Sequence, residues 1–135
     1  MQVVVLAVVL AIASTSVAWA QEGGAALTQV NTALQHVGFS LSQTAVAGAL
    51  MHLHHVVNCL EGRSGANFDQ SKGYPCNNQG NGIVNDVGDG LLKVLAEAAD
   101  SIAVAGTQYT DLETVHAAGN AVKALLEQIK NEISM

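Results

Sequence analysis

The histidines are the side chains of this sequence best suited to chemistry. There are five, and three of them fall within residues 52–55. On a helix, His52 and His55 project from adjacent turns of one face, whereas His54 points elsewhere. A neutral imidazole is a good ligand for zinc, copper, nickel or iron. The spacing of His52 and His55 therefore predicts a transition-metal or haem site on this face.

The same helical face carries small residues one and two turns before the histidines. Ala45 and Gly48 lie there, and they leave room for a bulky group such as a haem b plane packed between helices. A complete site needs a ligand from another helix. His116, at the edge of the last apolar stripe, is the best candidate. The predicted site is therefore His52, His55 and His116 around a copper, zinc or iron ion or haem b, with Ala45 and Gly48 beside the cofactor.

The other histidine patterns indicate no catalytic site. His36 faces away from the apolar stripe of its own helix, so we expect it at the surface. Residues 113–116 form a single E-x-x-H, whereas a di-iron bundle needs two of them. Nothing supplies a base, a nucleophile and a stabilising group together, so an enzyme is the less favoured interpretation. A cofactor-free alternative remains, in which every histidine is a packing or surface residue.

Two cysteines, Cys59 and Cys76, indicate a disulfide if the chain is exported. The bridge would close a loop of about 16 residues, for which loop entropy gives roughly 3 kcal/mol. The alternative is that the Cys59 thiolate is a metal ligand.

The first twenty residues have the pattern of a cleaved signal peptide. Val3–Ala13 is an unbroken apolar run, and Ala18 and Ala20 are small residues at the −3 and −1 positions. No Lys or Arg follows Met1, which departs from the usual pattern. An uncleaved anchor is the alternative, but an apolar run of about eleven residues is short of the roughly 20 that span a bilayer. We expect cleavage after Ala20 and a periplasmic or extracellular protein.

Composition excludes some partners and favours helices. Of 135 residues, only 12% are charged, with five Lys and Arg against eleven Asp and Glu and a net charge of −6. That balance argues against a nucleic-acid surface and against binding to an anionic membrane once the signal is removed. A protein partner or a homo-oligomer remains open. Many aliphatic residues with only 4% aromatic residues favour a helical core.

Apolar residues recur with helical period in four segments. A first region spans about Ala25–Leu60, where Gly38 is expected to end one helix and a capping box at residues 40–43 to start the next. One continuous helix is the alternative, but it would be about 54 Å long. A third helix is predicted from residues 86–89 to Gly106, and a fourth from a capping box at residues 110–113 to about Ile133. The apolar stripe of the third helix is predicted to be Val87, Leu91, Val94, Ala98, Ile102 and Ala105. That of the fourth is predicted to be Leu112, Val115, Gly119, Val122, Leu126, Ile129 and Ile133.

These segments predict an all-α protein, an antiparallel four-helix bundle formed by residues 21–135 as one domain. Residues 62–85, rich in glycine and asparagine, form a long loop between helices 2 and 3, held by the disulfide. The predicted function is metal handling or electron transfer outside the cytoplasm. The alternative is a structural or interaction module that uses this loop as its binding surface.

Overall fold

The computed structural model describes residues 17–135, with side chains from Gly23 onwards, and its regular structure there is entirely helical. The helices are α1 (Val17–Ser42), α2 (Val46–Glu61), α3 (Ile83–Asp86), α4 (Leu91–Gly106) and α5 (Leu112–Ile133). The all-α prediction is confirmed, while the antiparallel four-helix order stays a prediction. Most of the predicted signal peptide lies outside the described residues. Within them, no helix is both long and apolar enough to cross a membrane.

Two helices form from the first region, as predicted, but the position of the break was wrong. Gly38 lies inside α1 with open space beside it, and the chain turns at residues 43–45 instead. Ser40, expected to cap α2, is buried in α1 and its hydroxyl donates to the Ala49 carbonyl at 2.8 Å. Ala45 occupies the N-cap of α2 without a capping side chain. An exposed glycine costs a helix only about 1 kcal/mol, so α1 continues through Gly38.

The starts of the later helices also differ from the prediction. The expected loop at 62–85 is interrupted by the short helix α3, and α4 begins at Leu91 rather than at 86–89. The start of α5 is close to the prediction, because Asp111 is the N-cap and its carboxylate accepts from the Thr114 amide at 2.8 Å. Glycine with positive φ at residues 88 and 90 delays α4 until the chain has turned.

An aliphatic core joins the long helices, since α1 packs on α2 and α5, and α4 packs on α5 and α2. The predicted stripe of α5 is buried, but that of α4 was wrong: Leu91 and Val94 are 57% and 61% exposed. Small residues face inward on α4 instead. A Cβ on Gly106 would lie 2.6 Å from the Ala118 side chain and 2.8 Å from that of Leu53. Close helix approach therefore decides which face of α4 is buried.

The disulfide predicted between Cys59 and Cys76 is present, with a Cα–Cα distance of 5.3 Å, so Cys59 offers no thiolate to a metal. The loop that it closes is also fastened by the buried side chain of Asn58. The Asn58 amide donates to the carbonyls of Asp69 at 2.8 Å and Gly73 at 2.6 Å, and it accepts from the Asp69 amide at 2.9 Å. Side-chain hydrogen bonds and the disulfide therefore order this loop where regular structure does not.

Arg63 orders the outer part of the same loop. Its guanidinium donates to the side-chain oxygens of Gln70 and Asn77, each at 2.9 Å. It also lies 5.9 Å and 5.4 Å from the ring centroids of Phe68 and Tyr74, within the range of a cation–π contact. The loop therefore presents a fixed surface.

Candidate metal centre

Three imidazole nitrogens converge between α1 and α2. Nδ1 of His36, on α1, lies 3.3 Å from Nδ1 of His52 and 3.1 Å from Nδ1 of His55, both on α2. The three side chains are half-buried, and each offers a ligand atom within 4.8 Å of the other two. In the part of the chain that the structure describes, no other group of three histidine, cysteine or acidic side chains meets in this way.

The packing of the helix pair explains the convergence. The hydrogen bond from Ser40 to the Ala49 carbonyl fixes α1 against α2 close to the turn that joins them. His36 lies one turn before Ser40, and His52 lies nearly one turn after Ala49, so both are carried to the same level of the pair. Phe39 packs beside them, with its ring centroid 5.4 Å from that of His36 and 5.3 Å from that of His52.

The hydrogen bond of His55 determines which of its nitrogens is free. Its Nε2 lies 2.6 Å from the Lys72 carbonyl oxygen. A carbonyl can only accept, so Nε2 carries the hydrogen and Nδ1 of the neutral ring holds a lone pair directed at His36. The His36 Nδ1 has contacts on two sides, to His52 and to His55. One Nδ1–H of His36 can donate well to only one of these two rings. The three nitrogens therefore lack the hydrogens to form both hydrogen bonds at once.

The surroundings favour the neutral form of two of the three rings. Burial, followed by the proximity of His55 and His52, lowers the pKa of His36 to about 4. Burial and then His55 also lower the pKa of the His52 ring. Near neutral pH both rings are therefore in the deprotonated form that binds metal ions, and no proton has to be removed first.

The nitrogen separations suit one small ion. Tetrahedral zinc with Zn–N distances of about 2.0–2.1 Å places its ligand nitrogens about 3.3–3.4 Å apart. The two observed separations of 3.1 Å and 3.3 Å are close to that value. The bond from the far nitrogen of His55 to a backbone carbonyl is the usual second contact of a metal-binding histidine. Three half-buried imidazoles are a donor set that suits a divalent transition metal.

The structure brings together part of the predicted site and replaces one member. His52 and His55 share a face, as expected, and His36 is their third partner, although the sequence placed it at the surface. His116 lies elsewhere, because its Nε2 is 3.1 Å from the Ser40 carbonyl oxygen. His54 is not in the cluster either. Burial, and then the nearby Lys72 ammonium, lower the pKa of His54.

The small residues predicted to make room for a cofactor do not do so. A Cβ added to Gly48 would collide with the side-chain amide of Gln43, which already fills that space. Ala45 is the exposed N-cap residue of α2. No room for a haem plane is therefore found beside these two residues.

Comparison with known proteins identifies no relative for this arrangement. No family model matches the chain, and neither a curated protein nor a solved structure is detectably similar to it.

Proposed function

We propose that this protein binds one transition-metal ion through the Nδ1 atoms of His36, His52 and His55 and handles that ion outside the cytoplasm. The observation that carries the proposal is the convergence of three Nδ1 atoms, two pairs of them 3.1 Å and 3.3 Å apart, in rings of which two have lowered pKa values. The disulfide is consistent with an exported location.

The geometry favours a bare ion over haem b. Two axial imidazoles of a haem bind from opposite faces, so their ligand nitrogens lie about 4 Å apart with the macrocycle between them. The His36–His52 and His36–His55 nitrogen pairs are closer than that, and Gln43 fills the space beside Gly48. A macrocycle therefore has no place among these rings.

Among bare ions, the donor set favours zinc or copper handling over electron transfer. A blue-copper site needs a cysteine thiolate, and both cysteines are held in the disulfide. Three imidazoles with an open fourth position bind zinc(II) or copper(II) well, and the open position allows a ligand from a partner molecule to enter. We therefore place the protein in metal storage or transfer.

A cofactor-free interaction module is the second candidate. The observation that favours it is the fixed Arg63, which lines a cavity of about 250 Å³ together with Ser64, Tyr74, Asn77, Asn78 and Asn81. In that case the loop would be the binding surface, and the histidine cluster would only join α1 to α2.

Metal titration of the purified protein distinguishes the two functions. We expect one equivalent of Zn²⁺ to bind, and Co²⁺ to give the visible absorption of a four-coordinate site, with no Soret band after haem is added. His52→Gln should abolish this binding, whereas His116→Gln, the matched control outside the cluster, should leave it intact. Absence of stoichiometric binding, or equal loss in both variants, would contradict the proposal.

A further inference from the structure

The disulfide loop touches the metal-binding face directly at residues 72 and 73. The Lys72 carbonyl accepts from Nε2 of His55 at 2.6 Å. Gly73 adopts a positive φ of 95°, and a Cβ there would lie 2.9 Å from the same nitrogen. The loop backbone therefore lies against the edge of the His55 ring and sets the direction in which Nδ1 points.

The position of this backbone depends on two fastenings, both on α2 and both within about one turn of His55. Asn58 binds the carbonyls of Asp69 and Gly73, on either side of Lys72. Cys59 holds Cys76, three residues beyond Gly73. The covalent fastening and the ligand thus share one helix. Loss of the disulfide would leave residues 69–76 held there by the hydrogen bonds of Asn58 and His55 and by the contacts of Arg63 with Gln70 and Tyr74.

We infer that the Cys59–Cys76 disulfide is a redox control on the histidine site, so that its reduction by a dithiol weakens metal binding; this rests on the proposed metal-binding function. The dithiol supplies two electrons and two protons and is itself oxidised to a disulfide. Cys59 and Cys76 become thiols as their S–S bond breaks. The loop then leaves His55 without its carbonyl partner part of the time.

The size of the effect follows from how metal sites respond to the loss of such partners. Removing the hydrogen-bond partner of a metal-binding histidine typically weakens affinity about 10–100-fold. Because Asn58 still holds Asp69 and Gly73, we expect the lower part of that range, about tenfold, on reduction.

Coupling between two sites is reciprocal, so the ion must also protect the disulfide. Both cysteines are completely buried, so a thiolate reaches the sulfur atoms only when residues 69–76 move away from α2. A bound ion fixes His55, and His55 holds Lys72 in place. A tenfold coupling corresponds to a reduction potential about 30 mV more negative in the presence of the metal.

The first test compares Zn²⁺ affinity, by competition with a chromogenic chelator, between the oxidised protein and Cys59→Ala/Cys76→Ala. This double variant lacks thiols that would themselves bind zinc. We expect about tenfold weaker binding, and a similar direction for Asn58→Ala with the disulfide intact. Val122→Ala, a destabilising change in the core of α5, is the matched control and should bind as the parent does.

Equal affinity of the parent and the folded double variant would overturn the inference while leaving the metal function intact. Failure of the oxidised parent to bind Zn²⁺ would instead overturn the proposed function.

The second test uses the unmodified protein and stands even if the double variant does not fold. The reduction potential is measured in a dithiothreitol redox buffer by alkylation and mass spectrometry, with and without buffered free Zn²⁺. We expect zinc to make it about 30 mV more negative. An unchanged potential would contradict the coupling. A more positive potential would show that the reduced thiols bind zinc instead, which also contradicts it.

Discussion

Helix α2 carries two clusters of like titratable groups, one in its middle and one at its end. In the middle, His52 and His55 meet His36 of α1. At its end, the buried Glu61 meets Asp100 of α4. The Glu61 carboxylate accepts from the backbone and side-chain amides of Asn67 at 2.6 Å and 2.7 Å. Burial, then the charge of Glu61 and a hydrogen bond with it, raise the pKa of Asp100 to about 6.

The acidic pair and the histidine cluster differ in the positively charged species that each can accept. Burial, followed by the charge of Glu61, raises the pKa of Asp100, and this favours one proton shared between the two carboxyl groups. The histidine cluster has three nitrogens and a lowered pKa at His36, so protons are disfavoured there. The acidic pair can share a proton, and in our proposal a metal ion takes the corresponding place among the three histidine nitrogens.

Removing a ligand should have the largest effect. Replacing His36 by Gln deletes one of three donors, so the loss of Zn²⁺ affinity should exceed the roughly 100-fold typical of outer contacts. Calorimetric titration measures it. His54→Gln, on the same helix as His52 and His55 but outside the cluster, is the control and should remain within about twofold. Undiminished binding by the His36 variant would show that the cluster is not the metal site.

Gly73→Ala should have a smaller effect than the loss of His36. Of the two clusters, it should change only the histidine cluster. The positive φ is unfavourable for alanine, and the added Cβ would press on Nε2 of His55. We expect a loss of about 1–2 kcal/mol of unfolding free energy and about tenfold weaker Zn²⁺ binding. Denaturant unfolding and metal titration measure the two quantities. A variant that loses stability but keeps full affinity would show that the loop does not position His55.

The acidic pair predicts a pH dependence of stability. The Asp100 carboxyl has an ordinary pKa of 3.8 and a raised value of about 6 in the folded protein. Its protonated form therefore favours folding. This contribution is complete below about pH 4, declines as the pH rises towards 6, and stays lost above that. Because Asp100 is partly exposed, solvent screening reduces the effect to about 1 kcal/mol.

Asp100→Asn removes that loss. Urea unfolding should show the variant about 1 kcal/mol more stable than the parent at pH 7 and equal to it at pH 4. Asp111→Asn is the control, because the Asp111 carboxylate caps a helix and has a pKa shifted in the opposite direction. Hydrogen bonds from Thr114 lower the pKa of Asp111. It should be less stable than the parent at pH 7. A stabilisation of the Asp100 variant independent of pH would refute the shared proton.

Gly38→Ala should have the smallest effect and involve neither cluster. The position is helical and exposed, and a methyl group added there would meet open space. Replacing glycine with alanine should raise the unfolding free energy by about 0.5–1 kcal/mol. Thermal unfolding measures it, and Zn²⁺ affinity should not change. A destabilised variant would contradict a continuous α1.

Periodicity and cysteine count were sufficient to predict the four long helices and the disulfide, but not the short helix α3 or the exact helix starts. The third member of the histidine cluster depended on the position of the turn. With a break at Gly38, His36 has no particular partner. With the turn at residues 43–45, Ser40 meets Ala49, and His36 falls opposite His52. Residues 40–43 do not form a capping box, because the Ser40 hydroxyl of α1 donates to the Ala49 carbonyl of α2 instead. The close packing of small residues likewise buries a different face of α4 from the one predicted, as the contacts of Gly106 show.

The most direct test of the account is the tautomer of each histidine ring, read from long-range ¹H–¹⁵N correlation spectra before and after one equivalent of Zn²⁺. With zinc bound, His36, His52 and His55 should all be Nε2–H tautomers with Nδ1 shifted by the metal, while His54 and His116 should be unaffected. Coordination through Nε2, a shift at His116, or unchanged cluster resonances would contradict it.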